Sequence, residues 1–387
     1  MDILQLKYDF LQIFGGSEAE LRVFYSPGRV NLIGEHTDYN GGHVFPCALS
    51  FGIYGVARKR SDNILRFASG NINCPVSVKL DNLVYDKTHN WANYPKGVVL
   101  EFIKLNHEFS GFDLYVWGNI PNGAGLSSSA SLEVLTAVVV NSLFDLNVSM
   151  KEIALLSQRA ENKFVGVNCG IMDQYSIALG KKNHAMFLNC QTLTHKYVPL
   201  ELAGYKIIIA NTNKKRGLLD SKYNERRSEC DKALKLLQRK NDIKSLCELT
   251  PEDYERDKYL IKDQTIRYRA EHVIYENACT IQAVAALENG DLARFGELMT
   301  TSHKSLYCRY EVTGLELDAL VDSALKVEGV LGSRMTGAGF GGCTVSIVNE
   351  NCVQDFITSV SELYPTLTGL VADFYIAETG CGAKEIV

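Results

Sequence analysis

The chain has 387 residues, a mass of 43.0 kDa and a formal net charge of −5 at pH 7. Apolar residues make up 46% and charged residues 22%, a balance typical of a globular protein with two domains at this length. The negative charge argues against a nucleic-acid-binding protein, whose binding surface usually makes the whole domain basic. It does not argue against a small anionic ligand that backbone amides would bind.

The eleven cysteines are an odd number and contain no CxxC pair. Neither a disulfide framework nor a structural metal site is supported, and reduced thiols in a cytoplasm fit better. Residues 1–14 carry acids where a signal peptide needs basic residues. The longest apolar stretch, 132–144, is interrupted by Glu133 and Asn141 and is too short to span a bilayer. We therefore expect a soluble cytoplasmic protein without a membrane partner.

The first half of the chain alternates short strand patterns with helical ones. Residues 2–14 have the apolar spacing of an amphipathic helix, which two glycines end. A long helix from Ser127 to Phe144 is nearly all small or apolar, which is typical of a buried helix. Further strands are predicted at 21–25, 51–58, 65–68, 76–80 and 112–117, and further helices at 96–109, 150–164 and 172–179.

The second half is mainly helical and ends in an alternation of strand and helix. A densely charged stretch covers 218–241. Strands are predicted at 205–210, 343–348 and 371–376, and helices at 266–289, 291–306, 315–327 and 351–363. The change of pattern near residue 200 places a boundary between an N-terminal lobe, 1–200, and a C-terminal lobe, 201–387. The fold class is α+β with two lobes.

The first of three glycine-rich segments, residues 26–42, gathers side chains suited to a polyhydroxylated ligand. Arg29, Glu35, His36 and Asp38 lie within ten residues, beside glycines that allow tight turns. Each carboxylate can accept several hydrogen bonds from hydroxyl groups. The alternative is a solvated polar loop with a salt bridge from Arg29.

The second segment, residues 121–131, runs from Gly-Ala-Gly through three serines directly into the long apolar helix. Free backbone amides and the positive end of the helix dipole then surround one small volume, which favours a phosphate site. The alternative is that the serines only cap the helix. Since the chain has no GxxxxGK[ST] loop, amides, the dipole and Mg²⁺ would have to hold a nucleotide.

The third segment, residues 334–343, contains a formal GxGxxG match at Gly337, Gly339 and Gly342. A dinucleotide fingerprint needs a helix after the loop, whereas a β-branched strand is predicted here. We therefore expect a tight glycine loop that approaches a ligand or the other lobe.

A further acid stands between the second and third segments. Asp173 lies in the first turn of a predicted helix, after Cys169 and Gly170. It is either an ordinary dipole-stabilised acid or a partly buried one that needs a cation. Arg29 is the candidate partner.

The three segments match, in order and spacing, the three motifs of the GHMP small-molecule kinases, and residues 28–42 resemble the galactokinase signature in particular. Residues 160–174, 211–230 and 303–318 also resemble galactokinases, so the resemblance covers essentially the whole chain. It implies an N-terminal lobe with a left-handed βαβ crossover, a ferredoxin-like C-terminal lobe and an active site in the cleft. It also implies Mg²⁺-dependent transfer of the ATP γ-phosphoryl group to the C1 hydroxyl of α-D-galactose.

Roles follow from the resemblance at matching positions. Asp173 would be the catalytic base, and Arg29 would stabilise charge at the reacting centre and keep Asp173 ionised. Glu161 and Ser129 would hold Mg²⁺, which prefers oxygen ligands. The sugar contacts would be Glu35, His36, Asp38, the Gly170 backbone and Tyr223. The nucleotide contacts would be Ser69, Gly123, Ala124, Gly125, Leu126, Ser127, Ser128 and Ser129.

Two of these residues could instead have no contact with a ligand. Tyr223 could be a half-exposed aromatic residue, and His36 could be a loop histidine that is hydrogen-bonded to the backbone. Tyr307-Cys308-Arg309 stands where galactokinases commonly have an arginine followed by acids, and Cys279 where a basic residue is frequent. These departures affect the expected local packing or charge, not the reaction.

Two other functions stay open at this point. A sister kinase would act on N-acetylgalactosamine, galacturonate or L-arabinose. A galactose-sensing protein would keep the fold without catalysis, but such relatives lose the Ser-Ala pair of the second motif, and Ser129-Ala130 is intact here. The expected partners are galactose and ATP, with no nucleic acid. The sequence does not determine the oligomeric state, and we expect a monomer.

Overall fold

A computed structural model describes residues 2–121, 125–214 and 219–386. Its α-helices are α1 (Ile3–Phe14), α2 (Asn93–Lys104), α3 (Ser128–Leu143), α4 (Met150–Ala160), α5 (Met172–Leu179), α6 (Leu219–Leu237), α7 (Pro251–Asp257), α8 (Gln264–Glu288), α9 (Leu292–Ser305), α10 (Leu315–Ala324) and α11 (Val353–Thr368). Its strands are β1 (Arg22–Asn31), β2 (His43–Val44), β3 (Pro46–Lys59), β4 (Ile64–Ser69), β5 (Val76–Lys79), β6 (Phe112–Gly118), β7 (His184–Asn189), β8 (Thr194–Pro199), β9 (Tyr205–Asn211), β10 (Val330–Thr336), β11 (Cys343–Asn349), β12 (Asp373–Ala377) and β13 (Lys384–Glu385).

A six-stranded sheet, in the order β13-β1-β3-β6-β4-β5, forms the centre of the first lobe. Its pairs are antiparallel except β4 and β6, which run parallel and are joined through β5 and α2. The apolar helix α3 packs on β1 and β3 and is buried along most of its length. This burial explains why its sequence has almost no polar face.

The second lobe contains an antiparallel sheet in the order β10-β11-β9-β12. Along the chain, β9 is followed by helices, then by the β10–β11 hairpin, then by α11 and β12. This βαββαβ arrangement, with the first and third strands adjacent at the centre, is that of a ferredoxin-like fold. The ferredoxin-like second lobe implied by the resemblance is therefore present.

Most predicted elements are confirmed, and the differences have physical causes. The prediction missed β7 and β8, which form a small sheet with β2, and it missed β10 before the third glycine-rich segment. β10 has a glycine, a serine and an arginine at its centre, yet it is buried because Arg334 finds charged partners from other elements. The helix predicted over 150–164 ends at Ala160 and continues as a π-helical turn, Glu161–Val165.

The chain returns to its first sheet at the end. Glu385 of β13 pairs with Phe24 of β1, and Arg22 donates to the Glu385 carboxylate at 2.6 Å. The boundary near residue 200 stays a prediction. Within the described ranges no helix has both the length and the apolar character needed to cross a bilayer.

Candidate active site

A cavity of about 310 Å³ collects residues from all three glycine-rich segments. Its lining includes Arg29, Glu35, His36, Asp38, Gly125, Ser127, Ser128, Ser129, Glu161, Gly170, Asp173, Tyr223, Gly337 and Ala338. Residues far apart in the chain therefore surround one volume of the size of a small-molecule site.

Arg29 and Asp173 form a two-pronged ion pair at this cavity. Arg29 Nε donates to Asp173 Oδ1 and Nη2 donates to Oδ2, each at 2.8 Å. The third guanidinium nitrogen, Nη1, donates to the Gly125 carbonyl at 2.7 Å. The Arg29 side chain is 4% exposed and that of Asp173 is 29% exposed. The pairing that the sequence could only suggest is thus present, and it fixes the direction of the carboxylate.

Ser127 connects the second segment to this pair. Its hydroxyl donates to Asp173 Oδ2, and its backbone is left-handed with φ 62°. Its side chain makes no capping hydrogen bond to α3. The interpretation of the serines as simple helix caps is therefore wrong for Ser127.

The rest of the second segment lies beside the cavity to different extents. Ser128 and Ser129 form the first turn of α3 and line the cavity, where helix N-terminal amides can bind an anion. The Leu126 side chain is buried, and its carbonyl accepts the Arg29 backbone N–H at 3.2 Å. Gly123 and Ala124 lie outside the described residues.

Glu161 opens the π-helical turn after α4 and reaches the cavity from the other side. Gln174 Nε2 donates to its Oε2 at 2.6 Å, and the Cys169 thiol donates to the same oxygen at 3.2 Å. Burial is the main cause that raises the Glu161 pKa to about 7, and hydrogen bonds from Cys169, Gln174 and Ser129 oppose it.

The Glu161 and Ser129 side chains suit a hard cation. Mg²⁺ in nucleotide enzymes is commonly bound by one or two protein oxygen ligands together with phosphate oxygens. Glu161 Oε1 has neither Gln174 nor Cys169 as a donor, so it can serve such a cation with the Ser129 hydroxyl. No group of three or more acidic, histidine or cysteine ligands converges in the part of the chain that the structure describes.

Glu35 is buried rather than part of a solvated loop, so the solvated-loop interpretation of the first segment is wrong. Its Oε1 accepts the Gly337 backbone N–H at 2.7 Å and Arg334 Nη1 at 3.2 Å. Its Oε2 accepts Asn31 Nδ2 at 2.5 Å. Burial raises the Glu35 pKa, and the Arg334 charge opposes that shift. The third segment thus meets the first at the cavity, as expected of a tight glycine loop that approaches the other lobe.

His36 and Tyr223 form an aromatic wall with Tyr39. The ring centroid of Tyr223 lies 5.7 Å from that of His36 and 5.4 Å from that of Tyr39. His36 Nδ1 lies 2.8 Å from the Tyr39 hydroxyl, and the His36 ring also interacts with the Ala338 backbone. Burial lowers the His36 pKa and raises the Tyr223 pKa, so both side chains are neutral near pH 7.

Asp38 and Gly170 are in close contact at the cavity wall. A Cβ on Gly170 would lie 1.8 Å from Asp38 Oδ2, so any larger residue there would displace the Asp38 carboxylate. Burial, followed by the nearby Asp173 charge, raises the Asp38 pKa to about 7. When it is ionised, this carboxylate can accept hydrogen bonds from ligand hydroxyl groups.

A second cavity of about 280 Å³ adjoins the first and shares Tyr94, Ser128 and Ser129 with it. Its remaining lining is mostly apolar and comprises Ile53, Ser69, Asn71, Ile72, Asn90, Trp91, Val116, Gly118, Ile120 and Leu132. Ser69 Oγ accepts the backbone N–H groups of Asn71 at 3.1 Å and Ile72 at 3.3 Å, which leaves its own hydrogen free to donate. An apolar slot with a few polar groups suits a planar heterocycle.

Several residues of the site escaped the sequence analysis. Gln174, next to Asp173, holds Glu161, and Glu276 and Arg334 hold Glu35 and its loop. The position of Arg334 at the start of the third segment was a usable signal, whereas nothing in the sequence distinguished Glu276 from a solvent-facing helix residue. Tyr310 packs on His36 with ring centroids 4.7 Å apart.

The two departures from the family pattern lie away from both cavities. Arg309 donates to Glu271 at 2.7 Å, and its guanidinium lies 4.5 Å from the Tyr268 ring centroid. Cys308 is exposed, and the Cys279 thiol donates to the Leu298 carbonyl at 3.5 Å. They therefore alter local packing and surface charge, not the cavity lining.

Three family models match the chain. They are the galactokinase galactose-binding signature over residues 8–59, the GHMP kinases N terminal domain over 93–181 and the GHMP kinases C terminal model over 283–366. A galactokinase of Clostridium tetani is 52% identical over 387 residues. The match covers 100% of this chain and 98% of the Clostridium tetani protein. One of Clostridium acetobutylicum is 56% identical over 367 residues, which cover 94% of each chain.

The fold comparison agrees with the sequence comparison. The crystal structure of Lactococcus lactis galactokinase complexed with galactose matches with a TM-score of 0.97 and 45% identity. The match covers 99% of this chain and 100% of that chain. With identities above 50% over nearly the whole length, the chain belongs to the galactokinase family of the GHMP kinases.

Proposed function

We propose that the enzyme, which phosphorylates galactose with ATP as co-substrate, transfers the γ-phosphoryl group to the C1 hydroxyl of α-D-galactose. The products would be α-D-galactose 1-phosphate and ADP. The observation that carries the proposal is the Arg29–Asp173 ion pair, which lies between the sugar signature and the second glycine-rich segment.

The sugar would bind in the first cavity. Glu35, His36, Asp38, Tyr223 and the Gly170 backbone supply charged, neutral and backbone hydrogen-bonding groups around it. Galactose carries several hydroxyl groups, each of which can donate and accept. The Lactococcus lactis relative was crystallised with galactose, which supports the same ligand here.

Asp173 would accept the proton of the C1 hydroxyl as that oxygen attacks phosphorus. Arg29 orients the carboxylate through two hydrogen bonds, and its positive charge would lie beside the reacting centre. Phosphoryl transfer depends mainly on positioning and on neutralisation of charge, and both are available in this arrangement.

The nucleotide would span both cavities, with its base in the apolar slot beside Ser69 and its phosphates at the start of α3. Gly125, Ser127, Ser128 and Ser129 line the first cavity and would contact the phosphates. The Leu126 backbone is proposed as a further contact from the sequence. Gly123 and Ala124 are proposed as part of the same loop from the sequence alone.

Glu161 and Ser129 would hold Mg²⁺, as their convergence at the cavity supports. The ion would neutralise charge on the phosphate oxygens when bound. We also propose a cytoplasmic monomer; the eleven free cysteines are of the kind that a reducing compartment maintains.

The reaction is tested by measuring ADP release with ATP and Mg²⁺ across galactose, N-acetylgalactosamine, galacturonate, L-arabinose and glucose. Phosphorus NMR of the product identifies the phosphorylated oxygen. A strong preference for galactose with an anomeric phosphate is expected. If the enzyme preferred another sugar, that sugar and not galactose would be its substrate. A phosphate on another oxygen would overturn the assignment of the C1 hydroxyl.

A further inference from the structure

Four buried groups from both lobes meet behind the first cavity, and we call them the Arg334 cluster: Arg334, Glu35, Glu276 and Ser302. Arg334 lies in β10, Glu276 in α8 and Ser302 in α9, whereas Glu35 belongs to the loop after β1. Each of the four is at most 1% exposed. Of the four, only Glu35 lines the cavity.

Glu276 holds the backbone of the sugar-signature loop. Its Oε1 accepts the N–H groups of Gly34 at 2.9 Å and Glu35 at 3.1 Å, and the Ser302 hydroxyl donates to it at 2.6 Å. Gly34 has φ 98°, and a Cβ there would lie 2.7 Å from the His43 carbonyl oxygen. The two amides thus point at Glu276 because the chain adopts a turn that only glycine allows.

Arg334 holds the Glu35 side chain from the same place. Its Nη1 donates to Glu35 Oε1 at 3.2 Å, Nη2 lies 3.5 Å from Glu276 Oε1, and Nη2 also donates to Ser302 Oγ at 3.0 Å. One cation therefore lies between two buried carboxylates. If either carboxylate lost its charge, the buried guanidinium would be left partly uncompensated.

The two carboxylate oxygens of Glu35 accept different numbers of hydrogen bonds. Oε1 is occupied by Arg334 and by the Gly337 N–H, whereas the Asn31 amide donates to Oε2. A carboxylate oxygen can accept two hydrogen bonds, so Oε2 retains capacity for one ligand hydroxyl.

We propose that Glu276 and Arg334 are positioning residues that fix the Glu35 carboxylate for one hydroxyl of the sugar, and so set sugar selectivity from outside the cavity. The inference rests on the proposed sugar contact of Glu35. It goes beyond that contact because it assigns selectivity to Glu276 and Arg334, which do not line the cavity.

The test compares galactose with 2-, 3-, 4- and 6-deoxygalactose in the full-length enzyme. For each sugar, KM and kcat come from ADP release, and Kd comes from calorimetry without turnover. Glu35→Gln is measured first, to identify the hydroxyl group that Glu35 binds. Loss of that hydroxyl group from the sugar should weaken binding to the wild-type enzyme but not to this variant. Glu276→Gln is then measured on the same sugars, with Glu271→Gln on the same helix as a matched control, since Glu271 pairs with surface Arg309.

Glu276→Gln is expected to raise the galactose KM and Kd roughly tenfold or more, because a buried hydrogen bond to a charged group is lost. The kcat at saturating galactose and the KM for ATP should stay within about threefold. For the deoxy sugar identified with Glu35→Gln, the ratio of its Kd to the Kd for galactose should decrease. The same ratio for the other deoxy sugars should not. Glu271→Gln should leave all of them unchanged.

An equal rise in Kd for every sugar would show a general structural role and overturn the inference, as would an unchanged Kd. Far-ultraviolet circular dichroism checks that Glu276→Gln folds. If it does not, Ser302→Ala, which removes one donor to Glu276 and one acceptor of Arg334, must give the same selective pattern at smaller size. If the wild-type enzyme binds galactose without phosphorylating it, the proposed function fails while the Kd pattern still decides this inference.

Discussion

Asp173→Asn is the substitution that most directly tests the assigned chemistry. The change keeps the shape of the side chain but replaces one carboxylate oxygen with an amide that donates. That amide would face Arg29 or Ser127, both of which donate to Asp173 in the native protein. The variant therefore loses both the base and one half of the two-pronged ion pair.

The structure gives the size of the two effects. Removal of a positioned general base lowers kcat by about 10²- to 10⁴-fold. Loss of one partner from a fully buried ion pair costs about 3–5 kcal/mol. Asp173 is 29% exposed and Arg29 keeps the Gly125 carbonyl, so we expect about 2 kcal/mol or less in the free energy of unfolding. Galactose affinity should change less than about threefold, since the other sugar contacts stay in place.

Three measurements separate these effects. ADP release at saturating substrates gives kcat, calorimetry gives the galactose Kd, and urea unfolding gives the stability. Asp81→Asn, at an exposed position, is the matched control and should resemble the wild-type protein in all three. A folded Asp173→Asn enzyme that keeps more than about a tenth of the wild-type kcat would refute the assignment of Asp173 as the base.

Three further predictions follow from the cavity. Glu161→Ala should raise the Mg²⁺ concentration needed for half-maximal rate by about tenfold or more, because a charged oxygen ligand is lost; an unchanged Mg²⁺ titration would remove Glu161 from the metal site. Tyr223→Phe should raise the galactose KM several-fold, about 1 kcal/mol for one hydrogen bond, with little change in kcat; an unaltered KM argues against contact. Galactose affinity should fall as the pH drops through about 7, because Asp38, whose pKa burial raises to about 7, then loses its charge as an acceptor. Calorimetry from pH 5.5 to 8.5 measures this step, and Asp38→Asn should abolish it.

Local sequence patterns predicted the elements whose burial follows from their own residues. Helix α3 was recognisable because an almost wholly apolar helix has to be covered, and the strand at 112–117 because apolar residues crowd both of its faces. β10 was missed because its central arginine is acceptable in a buried strand only when Glu35 and Glu276 surround it. No local pattern carries that information.

In the candidate site, too, some residues could be predicted from local sequence and others only from tertiary contacts. Motif residues such as Arg29, Glu35, Asp38 and Asp173 could be named from their segments, since glycines and charged groups cluster there in sequence. Gln174 and Glu276 could not, because a polar residue on a helix looks solvent-exposed until another element packs over it.

The sequence by itself determined the type of site: an acid with a candidate arginine partner, a glycine-serine loop at a helix start, and a loop of hydrogen-bonding side chains. Only the tertiary structure decided which groups meet. The Arg29–Asp173 contact joins residues 144 positions apart, and the Arg334–Glu35 contact joins residues 299 positions apart. Burial also determines how the acids of the cavity ionise. Loss of water raises the pKa of both Asp38 and Glu161 to about 7. Solvent exclusion is a property of the packed molecule, and no segment of the chain carries it alone.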